Sequence, residues 1–185
     1  MHIMNIELES MAIEMPVVAG HPNREPFRGV LTLVDVASDG SPSGARGHRV
    51  VLTRRAAEAA LPSLLGMALD SSIKLDQHDA RRKVGVITRA EIVGKQLEVG
   101  GHLFAKDFPE VVEEIAKGGE SFAWKRAGQA RAAGSGGLGL SYEIANAVIA
   151  DLRATVWTLT HVTFTGAAIL RRDKAAYRET WIAVQ

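Results

Sequence analysis

The chain has 185 residues, which is the length of one domain, and a domain of this size buries roughly 70% of its unfolded surface. Apolar residues make up 46% and charged residues 23%, as in ordinary globular chains, and 22 basic against 21 acidic side chains leave a net charge of +1. That balance argues against a general nucleic-acid or membrane-surface binder, and the absence of cysteine excludes disulfide scaffolds, Cys-rich zinc modules and thiol nucleophiles.

Residues 1–19 read as an N-terminal arm with four methionines and no clear period; Glu7, Glu9 and Glu14 interrupt its hydrophobicity, which predicts no signal peptide. Residues 20–185 read as a single domain. Its most apolar run, Leu61 to Leu69, is too short to span a bilayer. Phe27 to Val36 has the β-branched content of a strand, and the turn formers of 38–47 end it. A short strand is expected at His48 to Leu52. Thr53 is placed to cap a helix over RRAAEAAL, with Pro62 ending it or opening a second short one and Gly66 as a stop.

Strands are expected at Val84 to Ile87 and Gln96 to Ala105, with a turn at Gly94-Lys95 between them. Pro109 opens a helix over EVVEEIA that Gly118-Gly119 would end. Residues 120–137, rich in Gly, Ala and Ser, read as a flexible surface loop. Strand signals resume at Leu138 to Ile144 and Ala154 to Phe164, and DKAAYRETWIA has the composition of a closing helix. About seven strands and two or three helices, with no regular βαβ alternation, predict an α+β or closed β-barrel domain.

Two of the six histidines, and one serine, have informative neighbours. His78 in LDQHDARRKVGVI is a charged-loop histidine or a general base able to take a hydroxyl proton near neutrality. Ser141 in GLGLSYEI is a small strand residue or a nucleophile to which adjacent glycines give access. The segment is no G-x-S-x-G elbow. His161 in WTLTHVTFTG falls by alternation on the face of Trp157, Leu159 and Thr163, where a histidine is either a bonded core residue or the group that orients a second imidazole.

Competing chemistries have less support. Asp76, His78 and Asp79, completed by His102 or His161, could ligate a metal, but no recognised ligand spacing is present. GSGGLG, residues 134–139, precedes a strand where a phosphate loop needs a helix. Lys125, Arg126 and Arg131, with Arg81-Arg82-Lys83, are basic runs too short for a nucleic-acid site.

The series GVLTLVD, DQHDARRKVGVIT, DFPEVVEEI and LGLSYEI followed by FTGAAIL resembles the tailed-phage prohead proteases, capsid-maturation serine proteases related in fold to the herpesvirus assemblins. The likeness runs from about Gly20 to Tyr177. It implies a herpesvirus-protease-like closed β-barrel of about seven strands surrounded by helices, in an α+β domain. It also implies Ser141 as nucleophile and His78 as base, 63 residues apart with the base first. His161 takes the place of the third residue, giving a Ser-His-His triad and a slow enzyme, with Asp79 and Glu143 as fallbacks. The backbone amides of Arg171 and Arg172 would hold the oxyanion. No cofactor or metal is implied.

The expected function is a serine endopeptidase that cleaves scaffold, scaffold-like segments of the capsid protein, or itself during phage head maturation. The setting would be the host cytoplasm, inside the assembling procapsid. Scaffold and major capsid proteins would be its partners, with a homodimer possible and no nucleic acid or membrane involved. The alternative is a non-catalytic capsid-assembly or scaffold-binding protein on the same fold. A third reading is a metal-dependent hydrolase built on His78 and nearby carboxylates.

Overall fold

The computed structural model describes residues 10–16, 18–126 and 137–185. Among the described residues nine strands form one sheet: β1 (Ser10–Ala12), β2 (Glu25–Leu33), β3 (Arg49–Leu52), β4 (Ala68–Asp70), β5 (Lys83–Val93), β6 (Gln96–Leu103), β7 (Leu138–Ile149), β8 (Val156–Arg171) and β9 (Trp181–Val184). The α-helices α1 (Arg54–Ala60) and α2 (Pro109–Arg126) interrupt them. The strand order is β3-β8-β4-β5-β6-β2-β9, with β1 attached to β5 and β7 to β8.

The expected closed barrel is corrected by this topology. Closure requires the terminal strands to pair, and β3 and β9 end the path without pairing to each other among the described residues. The sheet is open. The physical cause lies in β8, whose one edge carries β3 and then β4, both parallel, while its other edge carries β7. Nor are the helices an enclosing layer, since α1 has seven residues and α2 eighteen.

Local signals placed several elements. Thr53 accepts the Ala56 N–H at 3.2 Å and caps α1, whose Ala56, Ala57 and Ala60 are buried. A 3-10 turn, Leu61–Leu64, follows it. Gly66 then takes a positive φ of 77° and donates its N–H to Ile87 O, returning the chain to the sheet. Gly94, at φ 60°, turns β5 into β6. Leu31, Leu52, Leu64, Leu69, Ile87 and Leu103 are among the fully buried side chains of one continuous core.

Other expectations yield to tertiary context. Gly118-Gly119 does not end α2, which continues through residues 120–126 of the expected loop; 127–136 lie outside the described residues. The expected closing helix is instead a 3-10 turn, Arg172–Lys174, followed by β9, which pairs with β2 and buries Ile182. Burial of Tyr177 fixes the stretch between them, with its hydroxyl 3.2 Å from the carbonyls of Val36 and Val50. No helix among the described residues is long and apolar enough to cross a membrane.

Candidate active site

β7 and β8 form a long antiparallel pair in which Ser141 opposes Ala168. On the other edge of β8, Asp70 at the end of β4 opposes the same Ala168. Asp70, Ala168 and Ser141 therefore occupy one transverse row across three strands. Neighbouring strands lie about 4.8 Å apart, so Asp70 and Ser141 are separated by roughly 10 Å. His78 bridges that gap. Its Nε2 lies 3.2 Å from Ser141 Oγ, and its Nδ1 lies 3.7 Å from Asp70 Oδ1.

The loop bearing His78 joins β4 to β5 and is pinned at several points. Ser72 Oγ donates to Asp76 Oδ1 at 2.9 Å. Leu75 adopts a positive φ of 54°, a conformation costly for a branched side chain, and its carbonyl accepts the Arg171 N–H at 2.7 Å. Asp70 Oδ1 accepts the Asp79 N–H at 3.1 Å, and Arg82 donates to Ser71 O at 3.0 Å. A histidine on a loop held this way has a defined position, which a general base needs.

Asp70 is the best-placed carboxylate behind the imidazole. Burial, the largest single influence, pushes its pKa up. His78, the Asp79 N–H and the Lys83 ammonium, 3.4 Å from Oδ2, together outweigh it and hold the carboxyl below its ordinary value. Asp70 is thus an anion at neutral pH. His78 Nδ1 is itself buried without a hydrogen-bond partner among the described residues. At 3.7 Å the contact with Asp70 is longer than a hydrogen bond and acts through charge.

Glu143, two positions beyond Ser141, is also 3.7 Å from Nδ1, but its side chain is 55% exposed against 2% for Asp70. Gly166 opposes it on β8, and a Cβ there would lie 2.7 Å from Glu143 Oε2. Bare backbone at Gly166 and a methyl group at Ala168 leave room for the imidazole and this second carboxylate.

The expected third residue is elsewhere. His161 is exposed and opposes Val148, seven residues along β8 from Ala168, or about 23 Å. Strict alternation from Trp157 and Leu159 does not carry through. Thr160 and His161 are both exposed, Val162 is buried, and the β7–β8 register shifts on either side of Val148. The slow turnover expected from a neutral His161 behind the base loses its premise.

The two arginine amides are also committed: Arg171 N–H to Leu75 O, and Arg172 N–H to Gly137 O at 3.0 Å. They support the His78 loop and the start of β7 rather than an oxyanion. The Asp79 carboxylate accepts the Arg81 N–H, so this residue reaches the site only through its backbone. Asp76 bonds Ser72, and among the described residues no three histidine or carboxylate side chains gather as metal ligands. Asp70 went unread in the sequence. Its signal was a lone acid closing the apolar run Leu61–Leu69, where burial demands a partner.

His78 and Ser141 open into a cleft of about 950 Å³. β7 pairs only with β8 among the described residues, so its far edge is unpaired. No protein-family model matches the chain, and no curated protein matches it significantly.

Proposed function

We propose that the protein is a serine hydrolase acting on peptide bonds, with Ser141 as nucleophile, His78 as general base and Asp70 as the carboxylate that orients and charge-balances His78. The observation that carries the reading is the continuous reach from buried Asp70 through His78 to Ser141 Oγ, with His78 and Ser141 lining one cleft. An unpaired β7 edge beside the nucleophile suits an extended peptide, whose main chain can bond to an open strand.

In the first half-reaction Ser141 Oγ bonds to the scissile carbonyl carbon and its proton passes to His78 Nε2. The C–N bond then breaks as His78 returns that proton to the departing amine. Water, deprotonated by His78, attacks the resulting ester, and its collapse releases the acid and reprotonates Ser141. Asp70 stabilises the imidazolium at each stage.

The physiological reading rests on the resemblance of the motif series to the prohead proteases and on its base-before-nucleophile order. It assigns scaffold or scaffold-like capsid segments as substrates, within an assembling shell in the host cytoplasm. The open sheet lends this reading no support; the dyad and the motif order do.

Intact-mass labelling with a fluorophosphonate tests the chemistry. A single adduct on Ser141, absent in Ser141→Ala and strongly slowed in His78→Ala, is expected. No adduct, even beside co-expressed capsid and scaffold proteins, would overturn the reading in favour of a non-catalytic assembly protein. Cleavage of either co-expressed protein, lost in Ser141→Ala, would supply the substrate.

A further inference from the structure

The cleft is chemically divided along its length. Its charged lining residues, Asp76, Glu143, Asp173 and Lys174, come from the His78 loop, the Ser141 segment of β7 and the turn after β8. Farther along β7 the lining changes to Ile144 and Ile149, joined by Ala45, Val50, Trp157 and Leu159. Of these, Ala45, Val50, Trp157 and Leu159 are each less than a tenth exposed, whereas Ile144 and Ile149 are half-buried.

Trp157 is held firmly at this end. Its ring stacks on His48 with centroids 4.3 Å apart and planes 13° from parallel. Its Nε1–H donates to Leu152 O at 3.3 Å, so the indole's polar atom is already satisfied and what it offers the cleft is apolar. These apolar walls, with Ser41 and Ser43 of the adjoining loop also lining the cleft, form a receptor for an apolar side chain at little ordering cost on binding.

We propose that this end of the cleft is a remote specificity subsite that captures one bulky aliphatic or aromatic side chain of the same extended peptide whose scissile bond lies at Ser141. The proposal rests on the hydrolase reading for its link to cleavage. Continuity of one cleft from the dyad to Trp157 identifies the occupant, and the unpaired β7 edge gives the intervening main chain a track. From Ser141 to Ile149 is eight residues, at most about 26 Å at 3.3 Å each and less where β7 is bulged and Asn146 takes a positive φ of 53°. An extended substrate rises at the same rate, so the captured side chain sits about six to eight residues from the scissile bond. Recognition would therefore require a long unfolded segment bearing a distant apolar anchor.

Two measurements test it together. Cleavage of a diverse peptide library, read by mass spectrometry, is expected to show enrichment of Leu, Ile, Phe or Trp six to eight residues from the cut. Ile149→Ser and Trp157→Ala should erase that enrichment and raise KM about tenfold, the effect of losing one such burial, with fluorophosphonate labelling unchanged. Trp157→Phe should restore most of the loss and guards against a folding artefact. Separately, fluorescein-labelled Gly/Ser 16-mers, with and without one central Phe, are titrated into the non-hydrolysing Ser141→Ala protein. Phe should tighten binding about tenfold, and Ile149→Ser should cancel the gain.

Equal binding of the two 16-mers, or an enrichment confined to the three residues beside the cut, overturns the subsite. Failure of the wild type to label overturns the hydrolase reading instead. The 16-mer titration needs no turnover and still decides the subsite in that case.

Discussion

Asp70 and Ser141 face the same Ala168 from opposite edges of β8, and the imidazole of His78 spans the distance between them. A sheet row fixes the two ends of the relay more firmly than loops could. The buried anion is the stronger orienter, because little solvent screens it, whereas Glu143 is more than half exposed. Asp70→Asn should therefore lower kcat by about 10²–10⁴, as loss of the correct tautomer does in serine hydrolases. Glu143→Gln should lower it by less than about tenfold. Comparing the two turnover numbers and labelling rates decides the assignment, and the opposite ranking would transfer the role to Glu143.

Small side chains on β8 are a condition of this geometry. Ala168 is fully buried in the row beneath the relay, and Gly166 has the carboxylate of Glu143 where its Cβ would be. Ala168→Leu should cost about 1–3 kcal/mol through overpacking. Because displacement of about 1 Å is enough to lose about 10² in rate, labelling should fall by at least that factor in the folded fraction. Gly166→Ala only moves the flexible end of Glu143 and should label within about threefold of wild type. Urea unfolding beside the labelling time course separates folding from positioning.

Acid stability follows from Asp70. Its folded pKa lies below the unfolded value, so the folded state gains stability from the ionised form, and this gain is fully present above the unfolded pKa near 3.9. The gain disappears as pH falls through the lower folded value. Wild type should accordingly lose stability below about pH 4, and Asp70→Asn should show a shallower loss over the same window. Thermal midpoints at pH 2.5, 3.5, 5 and 7 measure the difference. Parallel curves for the two proteins would show that Asp70 ionisation is not coupled to folding.

Short-range chemistry was the legible part of this chain. Thr53 before an alanine-rich helix, Gly66 after the following turn and Gly94 between two strands each act through adjacent backbone, so their neighbours in sequence suffice to place them. The pairing of His78 with Ser141 came from the order of motifs and not from any spacing rule. Asp70 was hidden because its function depends on which strand lies across β8, a long-range fact. His161 was misplaced for a related reason: alternation assumes an unbroken ladder, and the register shifts around Val148 change which side of β8 is covered. The expected barrel failed at the same level. Strand content is visible locally, whereas closure depends on where β8 receives β3 and β4.

Gly100 and Gly101 look equivalent in the sequence but are not equivalent in β6. β5 shifts register against β6 between Ile87 and Arg89, next to the pair Ile87–Gly101, and this places the Val86 carbonyl where a Cβ on Gly101 would stand. That contact is with backbone, so relief requires moving a strand. At Gly100 the nearest backbone atom to such a Cβ is Phe27 O at 3.3 Å, a contact that a shift of a few tenths of an ångström relieves. Gly101→Ala should therefore destabilise the fold by about 3 kcal/mol or more, among the larger single-site effects, and Gly100→Ala by about 1 kcal/mol or less. Urea unfolding with a shared m-value gives both numbers directly. Equal costs at the two sites would mean that β5 and β6 separate freely at this point, contrary to the close approach that the adjacent glycines permit.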